Sequence, residues 1–147
     1  MKQITIGKYG PQYSQFIHKA KEAIKFLKKK QQGECLAALH RDDIGDIDIV
    51  WGENNEKNKG YGLKHILEKH GDSIRELGFE VEDFIPIVVQ FGTYDADKSD
   101  ASKLVYSNDY FRFVVAIEQM PTGEKKWLLT SFDIRKKPNK KAGTSPA

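Results

Sequence analysis

Three runs of aromatic and β-branched residues crowd the last third of the chain, and turn chemistry separates them. The runs are Leu104-Val105-Tyr106, Tyr110 to Glu118, and Lys126 to Ile134. Ser107-Asn108-Asp109 and Pro121-Thr122-Gly123-Glu124 lie between them, rich in the residues that favour tight reversals. Successive side chains of a strand point to opposite faces. Phe111, Phe113, Val115 and Ile117 therefore share one face, and Tyr110, Arg112, Val114 and Ala116 the other. The pattern predicts a three-stranded antiparallel meander. In its last strand, strict alternation sets Thr130 beside Leu128 and Phe132, and Ser131 beside Trp127 and Leu129.

The chain before this meander reads differently. Residues 1–12 look irregular, with Gly7, Gly10 and Pro11 as breakers. Ser14 is placed to cap a helix that runs to Lys30. Its stripe is Phe16, Ile17, Ala20, Ala23, Ile24 and Leu27, and lysines fill the other face. Residues 34–40 fit a helical turn or a short strand. Residues 46–51 alternate as a half-buried strand, with Ile47, Ile49 and Trp51 one way and Asp46, Asp48 and Val50 the other. Residues 52–61 read as a loop.

A helix is expected from Gly62 to His70, ended by Gly71. Its apolar side carries Leu63, Ile66, Leu67 and His70. His65 points away, because five steps of an α-helix turn two side chains about 140° apart. A further helix is expected over residues 83–91. Asp83 would cap it, Pro86 would sit in its first turn, and Gly92 would end it. Residues 93–101 read as a polar loop. Helices first and a meander last make an α+β domain. One domain is expected over residues 1–135, followed by a basic, disordered tail over residues 136–147.

Composition narrows the class. With 39% hydrophobic residues among 147, the chain can build a real core. No apolar run approaches the roughly 20 residues of a membrane span. The first residues lack the apolar stretch of an export signal, so the expected location is a cytoplasm, or that of a target cell into which the domain is delivered. The lone Cys35 excludes an intrachain disulfide and a cysteine-rich zinc site. Net charge is +3, with lysines bunched at Lys25, Lys28, Lys29 and Lys30 and a basic end of Arg135, Lys136, Lys137, Lys140 and Lys141. Such clusters are solvated surface or attract phosphate.

His65 and His70 are the first candidates for chemistry. Zinc helices space their histidines four apart with a glutamate between. The gap here is five and no acidic ligand completes the set, so no metal and no cofactor are expected. Acid–base work fits better, since histidine titrates near neutrality and can serve an RNA 2′-hydroxyl or a leaving 5′-oxygen. The plainer alternative is a packed His70 and a solvated His65. Thr130 or Ser131 can hydrogen-bond a phosphate oxygen, or simply bond within the sheet. Arg112 suits a phosphate clamp if its face lines a groove. Lys64 and Lys69 flank the histidines and can act similarly. Tyr106 and Tyr110 can stack on unpaired bases or pack. Asp46 and Asp48 share a strand face and more often cap or form ion pairs than hold a metal. Cys35 has no neighbouring histidine to make it a nucleophile.

Arg41-Asp42-Asp43-Ile44-Gly45-Asp46-Ile47-Asp48-Ile49-Val50-Trp51-Gly52, Gly62-Leu63-Lys64-His65-Ile66 with Lys69-His70, and Trp127-Leu128-Leu129-Thr130-Ser131-Phe132 together resemble the phage-type nucleases of the barnase–EndoU–colicin–RelE superfamily. The likeness runs from Lys19 to Ile134. It implies N-terminal helices packed on a small antiparallel sheet, with the site in the cleft between. It implies a metal-independent endoribonuclease that leaves a 2′,3′-cyclic phosphate. The catalytic set carried over is His65 or His70, Arg112, and Thr130 or Ser131; Lys64, Lys69 and Tyr110 are the substrate contacts expected beside it from their residue types and positions. Phe132 stands where some relatives have a tyrosine, so no phenolic hydroxyl acts there. The implied partners are RNA (tRNA among the candidates), an immunity protein, and a larger phage protein as parent chain. Two rivals stand beside this reading: a catalytically silent RNA- or partner-binding module, and a structural phage domain of the same fold.

Overall fold

The computed structural model describes residues 5–57 and 59–134. The expected basic tail, Arg135 included, lies outside the described residues. A hairpin of β1 (Thr5–Gly7) and β2 (Gly10–Tyr13) opens the chain. α1 (Ala20–Lys30) crosses to β3 (Glu34–Arg41), which returns as β4 (Gly45–Val50). A short hairpin follows, β5 (Glu53–Asn54) with β6 (Gly60–Tyr61). Next come α2 (Gly62–His65), a π turn (Ile66–His70), α3 (Gly71–Glu76) and α4 (Val81–Phe91). β7 (Thr93–Tyr94) and a 3-10 turn (Ala96–Lys98) lead into β8 (Lys103–Ser107), β9 (Phe111–Met120) and β10 (Gly123–Asp133).

Among the described residues eight of these strands form one sheet, in the order β1-β2-β3-β4-β10-β9-β8-β7. The expected meander is present as β8, β9 and β10. The sheet is larger than expected and mixed rather than antiparallel throughout. β2 runs parallel to β3, and β4 parallel to β10. The glycines of residues 7–10 mark a hairpin turn there, not an irregular start.

α1 and α4 cover one face of the sheet. Ala23, Ile24 and Leu27 from α1 and Phe84, Ile85, Val88 and Val89 from α4 are buried against Cys35, Leu39, Ile47, Ile49, Phe113, Val115 and Leu128. Each buried aliphatic or aromatic side chain of this kind contributes about 1.5–3 kcal/mol. On the opposite face Lys125 donates to both Glu34 and Asp48. Burial opposes the Lys125 charge, but the two carboxylates outweigh it and hold its pKa above the ordinary value. Beside this triad, Trp127 packs against Tyr9 and Tyr61.

Several element bounds differ from expectation. α1 begins at Ala20, not near Ser14, because His18 adopts a left-handed backbone (φ 57°) and donates its N–H to Ala37 O at 2.8 Å. Ile17, expected in the buried stripe, is exposed. α4 begins at Val81 after Glu80, so Pro86 lies inside the helix, and Asp83 pairs with Lys21 instead of capping. In β10 the register slips between Leu128 and Thr130. One residue, Leu129, is extra, and everything beyond it changes face. Leu128 pairs with Val115 and Thr130 with Val114. Thr130 and Phe132 therefore share a face with Trp127 and Arg112, whereas Ser131 lies with Leu128 and Phe113.

The largest departure is the helix after Gly62. Gly71 does not end it. Its torsions are helical (φ −56°, ψ −44°), and the chain runs on to Glu76 through the π turn. The start of this helix is set by two glycines. A Cβ on Gly52 (φ 77°) would stand 2.1 Å from Tyr61 O, and one on Gly62 (φ 81°) 2.7 Å from Val50 O. Only glycine permits that backbone approach. Lys64 N–H then bonds Trp51 O at 2.8 Å, tying α2 to the end of β4.

These two glycine environments make opposite predictions. Gly52→Ala should cost more than about 2 kcal/mol, from a left-handed φ and a backbone clash. Gly71→Ala should be neutral or stabilise by up to about 1 kcal/mol, as for a helix interior. Urea unfolding of both variants checks this. A destabilised Gly71→Ala would mean that the helix ends there after all.

Candidate active site

α2 and the π turn pack along β10 past the point where β4 stops. The turn decides what this segment can do. In an α-helix, residues five apart diverge by about 140°. A π turn closes its hydrogen bonds over one more residue, so each residue advances by a smaller angle and positions i and i+5 come together. The His65 and His70 rings accordingly meet edge to face, with centroids 5.7 Å apart. His65 does not point away to solvent, as an ideal helix would have it. It is only 7% exposed.

Each histidine has its own support. His65 Nδ1 lies 2.7 Å from Asn54 Oδ1. The Asn54 amide nitrogen donates to Glu68 Oε1 at 3.0 Å, which turns its oxygen toward the ring. Nδ1 of His65 is therefore the donor, and Nε2 is left for other work. His70 stacks on Phe132, with centroids 4.9 Å apart and planes 22° from parallel. The Arg112 guanidinium carbon lies 6.0 Å from the centroid of the same Phe132 ring. Register places Arg112 directly opposite Phe132 and keeps Thr130 on the same face.

Two polar atoms stand out on this face. Arg112 Nε and Thr130 Oγ1 are buried and have no hydrogen-bond partner among the described residues. Leaving a buried polar group unpaired costs about 1–3 kcal/mol. Such groups need an explanation, and a ligand with acceptor oxygens supplies one. Arg112 also makes no ion pair among the described residues, so its charge is not committed elsewhere.

Burial lowers the pKa of both imidazoles. Burial pushes the His70 pKa down to about 4, with His65 and Lys69 adding to the shift. His65 is lowered too, by burial first and then by Lys69. The ammonium of Lys69 thus sits near both rings, while Lys64 is half-buried on α2. Neither lysine forms an ion pair among the described residues.

The structure thus sets His65 against His70, and places Arg112 and Thr130 on the sheet face of Phe132, on which His70 stacks, with Lys69 close to the rings. Ser131 is not with them. It is fully buried on the α1–α4 face, paired in register with Phe113. Its hydroxyl also lacks a partner, and nothing on that face explains it. Tyr110 is displaced as well. It lines an apolar cavity of about 220 Å3 with Leu77, Phe79, Phe84, Ile87 and Phe111, on the α4 side. Tyr106 is buried, stacks on Phe113 and donates to Asp43, so it is not open to a base. Cys35 is buried, and its thiol is pushed up to about 12 by burial and by Glu34 and Asp48, which keeps it protonated. Arg112, Thr130 and Phe132 lie on the sheet face away from α1 and α4, while the histidine-bearing segment buries Leu63 and Ile66 in the same core as those helices.

Sequence reasoning missed Asn54. Its position depends on the β5–β6 hairpin, where Asn54 pairs with Gly60 and Glu53 with Tyr61. Residues 52–61 read as a polar loop because a two-residue strand has too few positions to show alternation.

With that geometry in place, comparison with known families is decisive. The chain belongs to the phage-Barnase-EndoU-ColicinE5/D-RelE like nuclease1 family. The family model matches residues 38–138, which contain His65, His70, Arg112 and Thr130. Neither the curated proteins nor the solved structures contain a significant match. Among the described residues no helix is long and apolar enough to cross a membrane.

The buried His70 has a signed consequence for stability. Above the unfolded value of 6.5 the ring is neutral in both states, and its burial carries no protonation cost. As pH falls through the window from 6.5 to about 4, the unfolded chain binds the proton first, and stability is lost. The wild type should therefore lose stability relative to His70→Asn across that window and not above it. Urea unfolding at stepped pH, with ring titration by NMR, checks this. A His70 that titrates near 6.5 would contradict the buried, stacked geometry.

Proposed function

We propose that the protein is a metal-independent endoribonuclease. The supporting observation is the pairing of His65 and His70 across the π turn, beside the unpartnered Arg112 Nε and Thr130 Oγ1. Two imidazoles at one place, with a cation and a hydroxyl, match the needs of phosphodiester transesterification. One group takes a proton, one gives a proton, and donors hold the charge that develops on the phosphoryl oxygens.

His70, held neutral by burial, takes the proton of the RNA 2′-hydroxyl. The 2′-oxygen attacks the adjacent phosphorus, and the bond to the 5′-oxygen breaks. His65 enters this step as the imidazolium, with Nδ1–H held by Asn54, and gives its Nε2 proton to that leaving oxygen; exchange with solvent water then removes the proton from His70 and restores the one on His65. The Asn54 carbonyl accepts from Nδ1–H in either charge state of His65, so it steadies the imidazolium as well as the ring's orientation. The histidine pushed down furthest is the base, and its partner the acid, a division set by environment. Arg112 and Thr130 bind the non-bridging oxygens, and Lys69 adds positive charge. The products are a 2′,3′-cyclic phosphate and a 5′-hydroxyl. A cytoplasmic site of action, a toxin-like role, an immunity partner and a larger phage parent chain are part of this proposal and are suggested by the family likeness alone, not by this geometry.

The test is incubation of the purified chain with labelled tRNA and mixed RNA in EDTA. Cleavage to cyclic-phosphate ends is expected. His70→Ala should lose about 10²–10⁴-fold in kcat, and Thr130→Ala or Arg112→Ala about 10²–10³-fold. The acidic limb of kcat/KM should lie well below the ordinary histidine range, since only neutral His70 acts as base. An all-DNA substrate, lacking the 2′-hydroxyl, should stay intact. RNA left whole at high enzyme concentration would reduce the site to a binding surface.

A further inference from the structure

The chain's other two histidines meet at a second place. His18 precedes α1, His40 is near the end of β3, and Asp46 is in β4. His18 Nε2 lies 2.7 Å from Asp46 Oδ1, and His40 Nδ1 lies 2.8 Å from the same oxygen. The two rings are 4.9 Å apart, and the three donor atoms all lie within 4.8 Å of one another. All three residues are exposed, at the end of β4 away from α2.

We propose that His18, His40 and Asp46 form a binding site for a divalent transition cation of the zinc type. Two imidazoles and one carboxylate are the ligand types such an ion prefers. The spacing is close to what it requires. Bonds of about 2.0–2.1 Å in a tetrahedron hold donor atoms about 3.3 Å apart. The two contacts to Asp46 need to open by only about half an ångström and the two nitrogens, within 4.8 Å of each other, to close, which side-chain rotation in exposed residues allows.

Two further features fit a built site. His40 turns its second nitrogen, Nε2, toward Asp42 Oδ1 at 3.3 Å. A metal-bound histidine ordinarily gives its other N–H to a carboxylate in this way, which fixes the tautomer and raises the basicity of the coordinating nitrogen. His18 is held in a left-handed conformation (φ 57°), rare for a residue with a side chain, by its N–H to Ala37 O. Ala37 is itself left-handed (φ 53°) and donates to Asp48. Strained backbone thus delivers the one ligand that comes from outside the β3–β4 hairpin. A bound ion would clamp the entry of α1 to that hairpin. The ion is structural and takes no part in the chemistry proposed for His65 and His70, which lie elsewhere on the chain.

The test is calorimetric titration of the untagged protein with zinc chloride alone, followed by thermal unfolding with and without the ion. His18→Asn tolerates the left-handed backbone and removes the imidazole. His40→Gln and Asp46→Asn remove the other two ligands. Circular dichroism confirms that each variant is folded. One zinc per chain and a raised unfolding midpoint are expected. Each of the three variants should bind at least about ten-fold more weakly, and the double variant His65→Ala/His70→Ala should bind as the wild type does. Absence of binding would overturn the proposal. So would stoichiometric binding that survives loss of His18 and His40, or that is lost with His65 and His70.

Discussion

One extra residue in a helical turn sets the character of this protein. Were the segment from Gly62 to Glu76 a regular α-helix, His65 and His70 would face different directions and at most one could reach a given phosphate. The π turn over Ile66–His70 removes that separation and leaves the rings 5.7 Å apart. The rest of the site is built around the resulting pair. Gly52 and Gly62 bring the start of α2 against the end of β4. The β5–β6 hairpin sets Asn54 on His65, and β10 offers Phe132 as the surface on which His70 lies. A π turn within a helix is often found where function needs an unusual alignment of side chains.

The sheet contributes through a second irregularity of the same kind. The extra residue at Leu129 moves Thr130 and Phe132 onto the face of Arg112 and sends Ser131 to the core. Without it Thr130 would lie with Leu128 among the apolar side chains beneath α1 and α4. Two one-residue insertions, one in a helix and one in a strand, therefore bring together groups from distant parts of the chain. The desolvated Arg112 Nε and Thr130 Oγ1 are costly in the free protein. A charged, oxygen-rich ligand of the kind proposed would give both of them an acceptor.

Much of this was legible in the sequence, and the failures share a cause. The meander, the strand at residues 46–51 and the helices around Lys30 and Phe91 show as periodicity, and the structure has them. His65, His70, Arg112 and Thr130 could be singled out by residue type, and the structure sets the two histidines together and Arg112 and Thr130 on the face of Phe132, on which His70 stacks. That arrangement could not be read, because helical-wheel and strand-alternation reasoning assume a constant period. Both assumptions fail at the places that matter, Ile66–His70 and Leu129. Gly71 misled for a related reason: a glycine after a histidine looks like a helix end, yet here it is an ordinary helical residue. Asn54 and the pair His18 and His40 were invisible because each depends on contacts between segments far apart in sequence.

The pairing of the two histidines is the central claim, and a double-mutant cycle on single-turnover RNA cleavage tests it most directly. His65→Ala, His70→Ala and the double variant would be compared with the wild type. Groups that act as a unit on one phosphate are strongly non-additive. The double variant should lose little more than the worse single variant. Losses that multiply would mean that the two rings work independently, and that the π turn does not create the site.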